Sequence, residues 1–545
     1  MANVDQAAPV ATSDTGGLRR DVGLIGLMWA SVGSIIGSGW LFGAEKAVVA
    51  AGPAAIISWV IGAVAIVLLA LVHAELGGMF PVAGGTARYP HYAFGGLAGM
   101  SFGWFSWLQA ATVAPIEVEA MIGYAKHWKW ADGLQHADST LTTSGFALAV
   151  VLMAVFVGVN FFGVRALAHT NSAATWWKIA VPLGAIFIIA IGNFHPANFT
   201  SEGFAPFGAK GVLSAISDSG IIFALLGFEQ AIQLAGESRN PQRDLPRATL
   251  GSVAIGAVIY VLLQVVFIAA LPHASFAHGW AHLNFAGISG PWAGLATIVG
   301  LGWLGVVLYI DAVISPAGTG LIYTTATSRV SYGLAKNGYA PKLFIKTDKR
   351  GVPWFGLLIS FITGVVCFLP FPSWQTLVGF ITSASVLMYA GAPLAYGVFS
   401  DRLPHLPRPY RLPAGKIISP VSFVIANLII YWAGWGTLWR LGFAILLGYV
   451  LLGSYAWYAI RKNLPDAPRL DFKAAQWLPP YLLGMGVISW LGGFGGRGTL
   501  PLWWDMAVIA VFSIVIYYWA KATASAPEAI ERSIDEVVVT DAPAH

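Results

Sequence analysis

Gly33-Ser34-Ile35-Ile36-Gly37-Ser38-Gly39-Trp40 interrupts the first long apolar run of the chain with three glycines in seven residues. Glycine costs about 1 kcal/mol in a helix interior relative to alanine. A cluster of this kind therefore predicts unwinding in the middle of the run. If the run crosses a membrane, unwound backbone at that depth is tolerated only where it is buried in protein or lines a cavity. The spacing of Gly33 and Gly37 also suits a close seam between two helices. The cluster by itself leaves both readings open.

That the run does cross a membrane follows from composition. Apolar residues make up 57% of the 545 positions, charged residues only 10%, and mean hydropathy is +0.70. Soluble domains carry roughly 25% charged residues, so this chain needs a solvent other than water. Its apolar stretches reach the ~20 residues that a membrane helix requires. They lack the alternation of a membrane β-strand, which predicts an all-α bundle. Cys367 is the single cysteine, which excludes an intramolecular disulfide. Histidine spacing suggests no metal site, and no cofactor or nucleotide-binding motif is present. The formal charge of +5 raises the possibility of a nucleic-acid partner, but its distribution argues for topology instead.

Fourteen spans are expected, at 22–50, 54–79, 93–123, 144–163, 173–192, 213–236, 248–271, 293–333, 354–371, 375–398, 417–437, 440–460, 478–494 and 501–521. With the N-terminus inside, external loops hold only Lys126, Lys129, Lys210, Arg440 and Arg497 of the 30 Lys and Arg, and Lys46 and Lys178 fall within spans. Every other basic residue lies on the cytoplasmic side, as retention of Lys and Arg there requires. Residues 1–21 read as a cytoplasmic tail without a cleavage signal, and 522–545 as a second, acidic and mobile one. Between them, 22–398 reads as a ten-helix core and 399–521 as four additional helices.

A second interruption lies in the sixth span, Phe223-Ala224-Leu225-Leu226-Gly227-Phe228-Glu229-Gln230. Spans one and six would open the two halves of a five-plus-five inverted repeat. Interrupted helices in corresponding positions point to a transporter's central site. There, half-helix N-termini offer free N–H groups to an anion, and half-helix C-termini offer carbonyls to a cation. A zwitterionic amino acid carries both charges.

These stretches, together with Ala74-Glu75-Leu76-Gly77-Gly78-Met79-Phe80-Pro81, Gly84-Gly85 and Gly236-Glu237-Ser238-Arg239-Asn240-Pro241, resemble the amino acid–polyamine–organocation permeases. More narrowly, Gly203 to Gly208, Asp311 to Gly320, Leu369 to Trp374 and Ile516 to Lys521 resemble the bacterial aspartate–proton symporter type. The resemblance implies a bundle-plus-scaffold fold with alternating access in a bacterial cytoplasmic membrane. It implies a small amino-acid substrate and protons as partners; an amino-acid/amine exchanger is the alternative within transport. By similarity, N–H groups around Gly37, Ser38 and Gly39, beside Ile36, would hold the substrate carboxylate. Carbonyls of Phe223, Ala224 and Leu226, beside Gly227, would hold its ammonium, with Phe223 closing over it.

Ionisable residues inside spans are costly and usually face a partner or a pore. Lys178 either snorkels to the inner interface or carries a proton; in proton-coupled members of the family a lysine on this helix replaces a sodium ion. Glu229 is a proton site, a gate, or a cap for the unwound backbone. Asp311 pairs with Lys178 or organises a bend near Pro316. Glu117 and Glu119 are two positions apart and cannot share a helical face, so at most one points inward. Glu75 and Glu237 are expected to pair with loop arginines. Thr382, Ser383 and Ser385 are expected to bond their own helix carbonyls. A sensor with transporter architecture but no flux is the alternative from another class.

Overall fold

The computed structural model describes residues 22–541 apart from 83, 84, 163, 284, 286–289, 349, 370, 372 and 466. The expected N-terminal tail, Gly84, Lys349, Pro370, Pro372, the side chain of Arg165 and the last four residues lie outside the described residues.

Every regular element among the described residues is helical. The first span is split into α1 (Leu24–Ile35) and α2 (Gly39–Ala51). Then follow α3 (Ala55–Met79), α4 (Gly85–Ala125), α5 (Thr143–Phe161) and α6 (Val164–Asn193). The sixth span is made of α7 (Gly208–Asp218), α8 (Ile221–Leu225) and α9 (Glu229–Gln233). Beyond it lie α10 (Pro241–Ala270), α11 (Pro291–Ile298), α12 (Gly302–Lys336) and α13 (Trp354–Cys367). The tenth span joins α14 (Trp374–Tyr389) to α15 (Gly391–Arg402). The remaining helices are α16 (Gly415–Trp432), α17 (Trp435–Arg461), α18 (Leu478–Leu491), α19 (Leu502–Thr523) and α20 (Pro527–Asp541).

Nine helical segments among the described residues are long and apolar enough to cross a membrane, and α1, α13 and α18 are shorter apolar helices. Together with α4 and the α7–α9 series they account for the fourteen expected spans. Several boundaries differ: the helices of the third, fifth and seventh spans begin earlier than expected, at Gly85, Val164 and Pro241. The eighth span begins at Gly302 rather than 293, because Gly300 turns the chain at φ +82° and detaches α11 as a short separate helix.

The outer faces of the helices are apolar. On α17, Phe443, Leu446, Leu447, Val450 and Leu451 are all exposed, a pattern that suits lipid rather than water. Packing follows the expected repeat: α3 lies chiefly against α10, and α4 against α12. These are the second and seventh, then the third and eighth spans, equivalent partners in the two halves. The helices α16 and α17 pack on α14, α18 packs on α17, and α19 packs on α16, α18 and α15.

Two polar devices hold one end of the bundle. Val22 N–H donates to Glu237 O at 3.0 Å and Arg239 N–H donates to Val22 O at 2.9 Å, strapping the entry of α1 to the segment after α9. Buried Glu75 accepts from the Arg408 guanidinium and from Leu412 N–H, and Glu237 pairs with Arg329 at 3.2 Å. Both carboxylates thus meet the arginine partners expected of them, although Arg329 lies in α12 rather than a loop. The segment expected to be a mobile tail instead forms α20. Ser525 N–H donates to Ala93 O at 3.0 Å, Ile530 is fully buried, and Arg402 caps the carbonyls of Lys521 and Ala522 at 3.2 Å each.

Candidate substrate site at two broken helices

The helical ladder of α1 stops where the glycines predict. Ile36 N–H still reaches Val32 O at 3.0 Å, but Gly37 N–H turns to Ile35 O at 3.2 Å. In a continuous helix Gly37 would donate to Gly33 O, so that carbonyl is one of the orphans left at a helix C-terminus. The second half starts at Gly39, with Leu41 and Phe42 donating back to Ser38 O. The sixth span breaks in the same way. Leu226 is extended (φ −72°, ψ 153°) and Gly227 has φ +123°, a conformation that side chains other than glycine's resist.

The two breaks face one another at glycine distance. A Cβ on Gly39 would lie 2.7 Å from Ala224 Cβ, and one on Gly227 would lie 2.8 Å from Ser34 Oγ. Between them is a cavity of about 10 Å3, lined by Gly37, Gly39, Glu117, Phe223, Thr319 and Tyr323 among others. That is the space a single water needs. Of the sequence-predicted binding residues, Gly37, Gly39, Phe223 and Leu226 line this cavity. Ile36, Ser38, Ala224 and Gly227 belong to the same two broken segments, immediately beside it. Trp374 touches two residues of the broken segments. Its indole N–H donates to Ser38 Oγ at 2.9 Å and its ring meets that of Phe223 edge-on at 5.9 Å.

Lys178 is fully buried and does not snorkel. Its ammonium donates to Gly33 O at 2.7 Å and to Thr319 Oγ1 at 2.8 Å. The carbonyl freed by the break is therefore capped by a cation, the sign favoured at the negative end of a helix dipole. Asp311 is also fully buried but makes no ion pair with Lys178 within 4.0 Å. It accepts from Trp40 Nε1 at 3.0 Å, Trp177 Nε1 at 2.8 Å and Ser315 Oγ at 2.7 Å. It joins α2, α6 and α12, while α12 runs helically through Pro316.

Glu229 stands at the sixth-span break. Its carboxylate accepts from Gly227 N–H at 3.0 Å, Tyr323 Oη at 2.9 Å, Tyr389 Oη at 2.5 Å and Gln109 Nε2 at 3.3 Å. That donor set is the arrangement of a cap, because it satisfies a backbone N–H that the break would otherwise leave bare. Ser31 completes the join by donating to Phe228 O at 3.1 Å and accepting from Ala231 N–H at 3.0 Å.

Sequence reasoning left Glu117 unassigned. It is fully buried, lines the cavity, and accepts from Ser38 N–H at 2.8 Å through Oε2. Its mid-span position in α4 was the available signal. Glu119 does not line the cavity and lies near Cys367. On α14, Ser385 bonds Ile381 O as expected, whereas Thr382 and Ser383 are buried without a hydrogen-bond partner.

Two broken helices thus meet around a small cavity, with ionisable side chains capping the backbone groups that the breaks expose. Residues 22–454 match the amino acid permease family, and the chain belongs to it. It is therefore a multi-pass membrane permease. It is 41% identical to the glutamate/serine transporter AimA of Bacillus subtilis (strain 168), over 92% of this chain and 94% of that one. It is 36% identical to the aspartate–proton symporter of the same organism, over 95% and 99%. A branched-chain amino acid permease, BcaP, also of Bacillus subtilis, is similar at 25% identity over 82% and 95%.

Proposed function

We propose that this permease takes up acidic amino acids with protons across a bacterial cytoplasmic membrane, with both termini inside. Residues 22–398 would form the transport core and 399–521 an additional four-helix scaffold. The observation that carries the reading is the Lys178 ammonium on Gly33 O. A cation whose proton can leave, seated on the break in the substrate-binding helix, links protonation to the shape of the site. The substrate's α-carboxylate would take the N–H groups at Gly37, Ser38 and Gly39, and its ammonium the carbonyls of Phe223, Ala224 and Leu226. Thr319 and Tyr323 line the cavity where a side-chain carboxylate would lie. The similarity to an aspartate–proton symporter and a glutamate/serine transporter supports this substrate class.

The deciding experiment is uptake of radiolabelled aspartate, glutamate and alanine into proteoliposomes under an imposed pH gradient, with no amino acid inside. Accumulation that depends on the gradient is expected. Uptake that requires internal substrate would identify an exchanger, and binding without flux would identify a sensor.

A further inference from the structure

The backbone N–H that should greet a substrate carboxylate is already occupied. Ser38 N–H donates to Glu117 Oε2 at 2.8 Å, across the gap between α4 and the break in the first span. The other carboxylate oxygen, Oε1, is buried and has no hydrogen-bond partner. It points at the glycine-only part of the site: a Cβ on Gly37 would lie 2.7 Å from Glu117 Oε1 and 2.8 Å from Thr319 Oγ1. The cavity beside it has room for about one water. An amino acid cannot enter unless something withdraws, and Glu117 is the side chain that blocks the carboxylate's own position.

We propose that Glu117 is a tethered stand-in for the substrate carboxylate, which holds the first-span cradle when the site is empty and takes up a proton as an incoming amino acid displaces it. This rests on the reading above, that the cradle binds an amino-acid carboxylate. Two carboxylates competing for one small, dry site cannot both stay ionised. The proton arrives from the outer aqueous phase with the substrate and binds Glu117, and it leaves to the cytoplasm when the substrate departs and the carboxylate returns to Ser38 N–H. One amino acid and the proton carried on Glu117 enter together, a neutral sum for an acidic amino acid and one positive charge for a neutral one, and the site is restored. The groups that surround Glu117 are Lys178 from α6, Tyr260 from α10, and Thr319 and Tyr323 from α12, with Asp311 acting on Lys178 from further along α12.

The test is proton uptake by the purified wild-type protein on saturation with L-alanine or L-glutamate at about pH 7.5 in weak buffer, alongside equilibrium binding at about pH 5.5 and 7.5. About one proton per amino acid bound is expected, with affinity roughly tenfold tighter at the lower pH. In Glu117→Gln, the neutral amide should bind amino acid with a pH-independent affinity near the acid value of the wild type. Counterflow should persist while gradient-driven accumulation is lost. Glu117→Asp should restore pH dependence. Amino-acid binding by the wild type without proton uptake would overturn the proposal and leave the carrier reading standing. So would a folded Glu117→Gln variant with unchanged pH dependence. Failure of the wild type to bind any amino acid would remove both.

Discussion

Lys178 Nζ and Gly33 O, 145 positions apart in the chain, meet at 2.7 Å in the interior of the bundle. The contact links a cation to a broken helix. Protonated, the ammonium satisfies a carbonyl that no backbone N–H reaches. A neutral amine would cap it more weakly, since hydrogen bonds from ionised donors are roughly twice as strong as neutral ones.

Lys178→Ala should abolish this link. Gradient-driven accumulation in proteoliposomes is expected to fall more than about tenfold, while equilibrium binding of amino acid falls less. Loss of a charge-assisted hydrogen bond of about 1.5–3 kcal/mol supports that scale. Undiminished accumulation would remove lysine from the mechanism.

Gly227→Ala should cost both stability and binding. A side chain at φ +123° is strained, and its Cβ would lie 2.9 Å from Ile35 N on the opposite break. Strain of this kind costs on the order of 1–3 kcal/mol. A lower melting temperature and loss of substrate-induced thermal stabilisation are the expected results, read by fluorescence-detected melting.

Around Glu229, Tyr389→Phe should lower stability by about 1.5–3 kcal/mol, because it removes a donor to a buried carboxylate. Tyr323→Phe should do the same. If the carboxylate acts as one cap, the double variant will deviate from the sum of the two in a thermodynamic cycle. Additive effects would show that the two tyrosines act separately.

At the other polar anchor, Arg408→Ala would strand the buried Glu75 carboxylate. Removing one partner of a buried pair costs about 3–5 kcal/mol. Arg408→Ala combined with Glu75→Gln should recover part of that loss in thermal melts, since the amide leaves no charge unpaired.

The parts of the fold that were legible in the sequence are those written in local chemistry. Gly33, Gly37 and Gly39 mark the first break because their cost in a helix interior is local, and the split into α1 and α2 falls there. Apolar length located the spans, yet it merged α11 with α12, since Gly300 is a single residue inside one apolar stretch. Lys178 was legible as a charge inside a span, but its sequence position left snorkelling and burial both open. Its partner was not legible, because Gly33 O becomes available only once α1 is broken and α6 lies beside it. Glu117 and Glu119 were separable only by rotation about α4, which the neighbouring helices set. Asp311 shows the same limit: its three donors come from α2, α6 and α12, and only Ser315 is near it in sequence.

The paired main-chain bonds between Val22 and the Glu237–Arg239 segment have a mechanical meaning. They tie the start of α1 to the segment of chain that leaves α9, so the two half-helices are coupled at that end. A displacement that keeps both bonds carries the start of α1 and the end of α9 together.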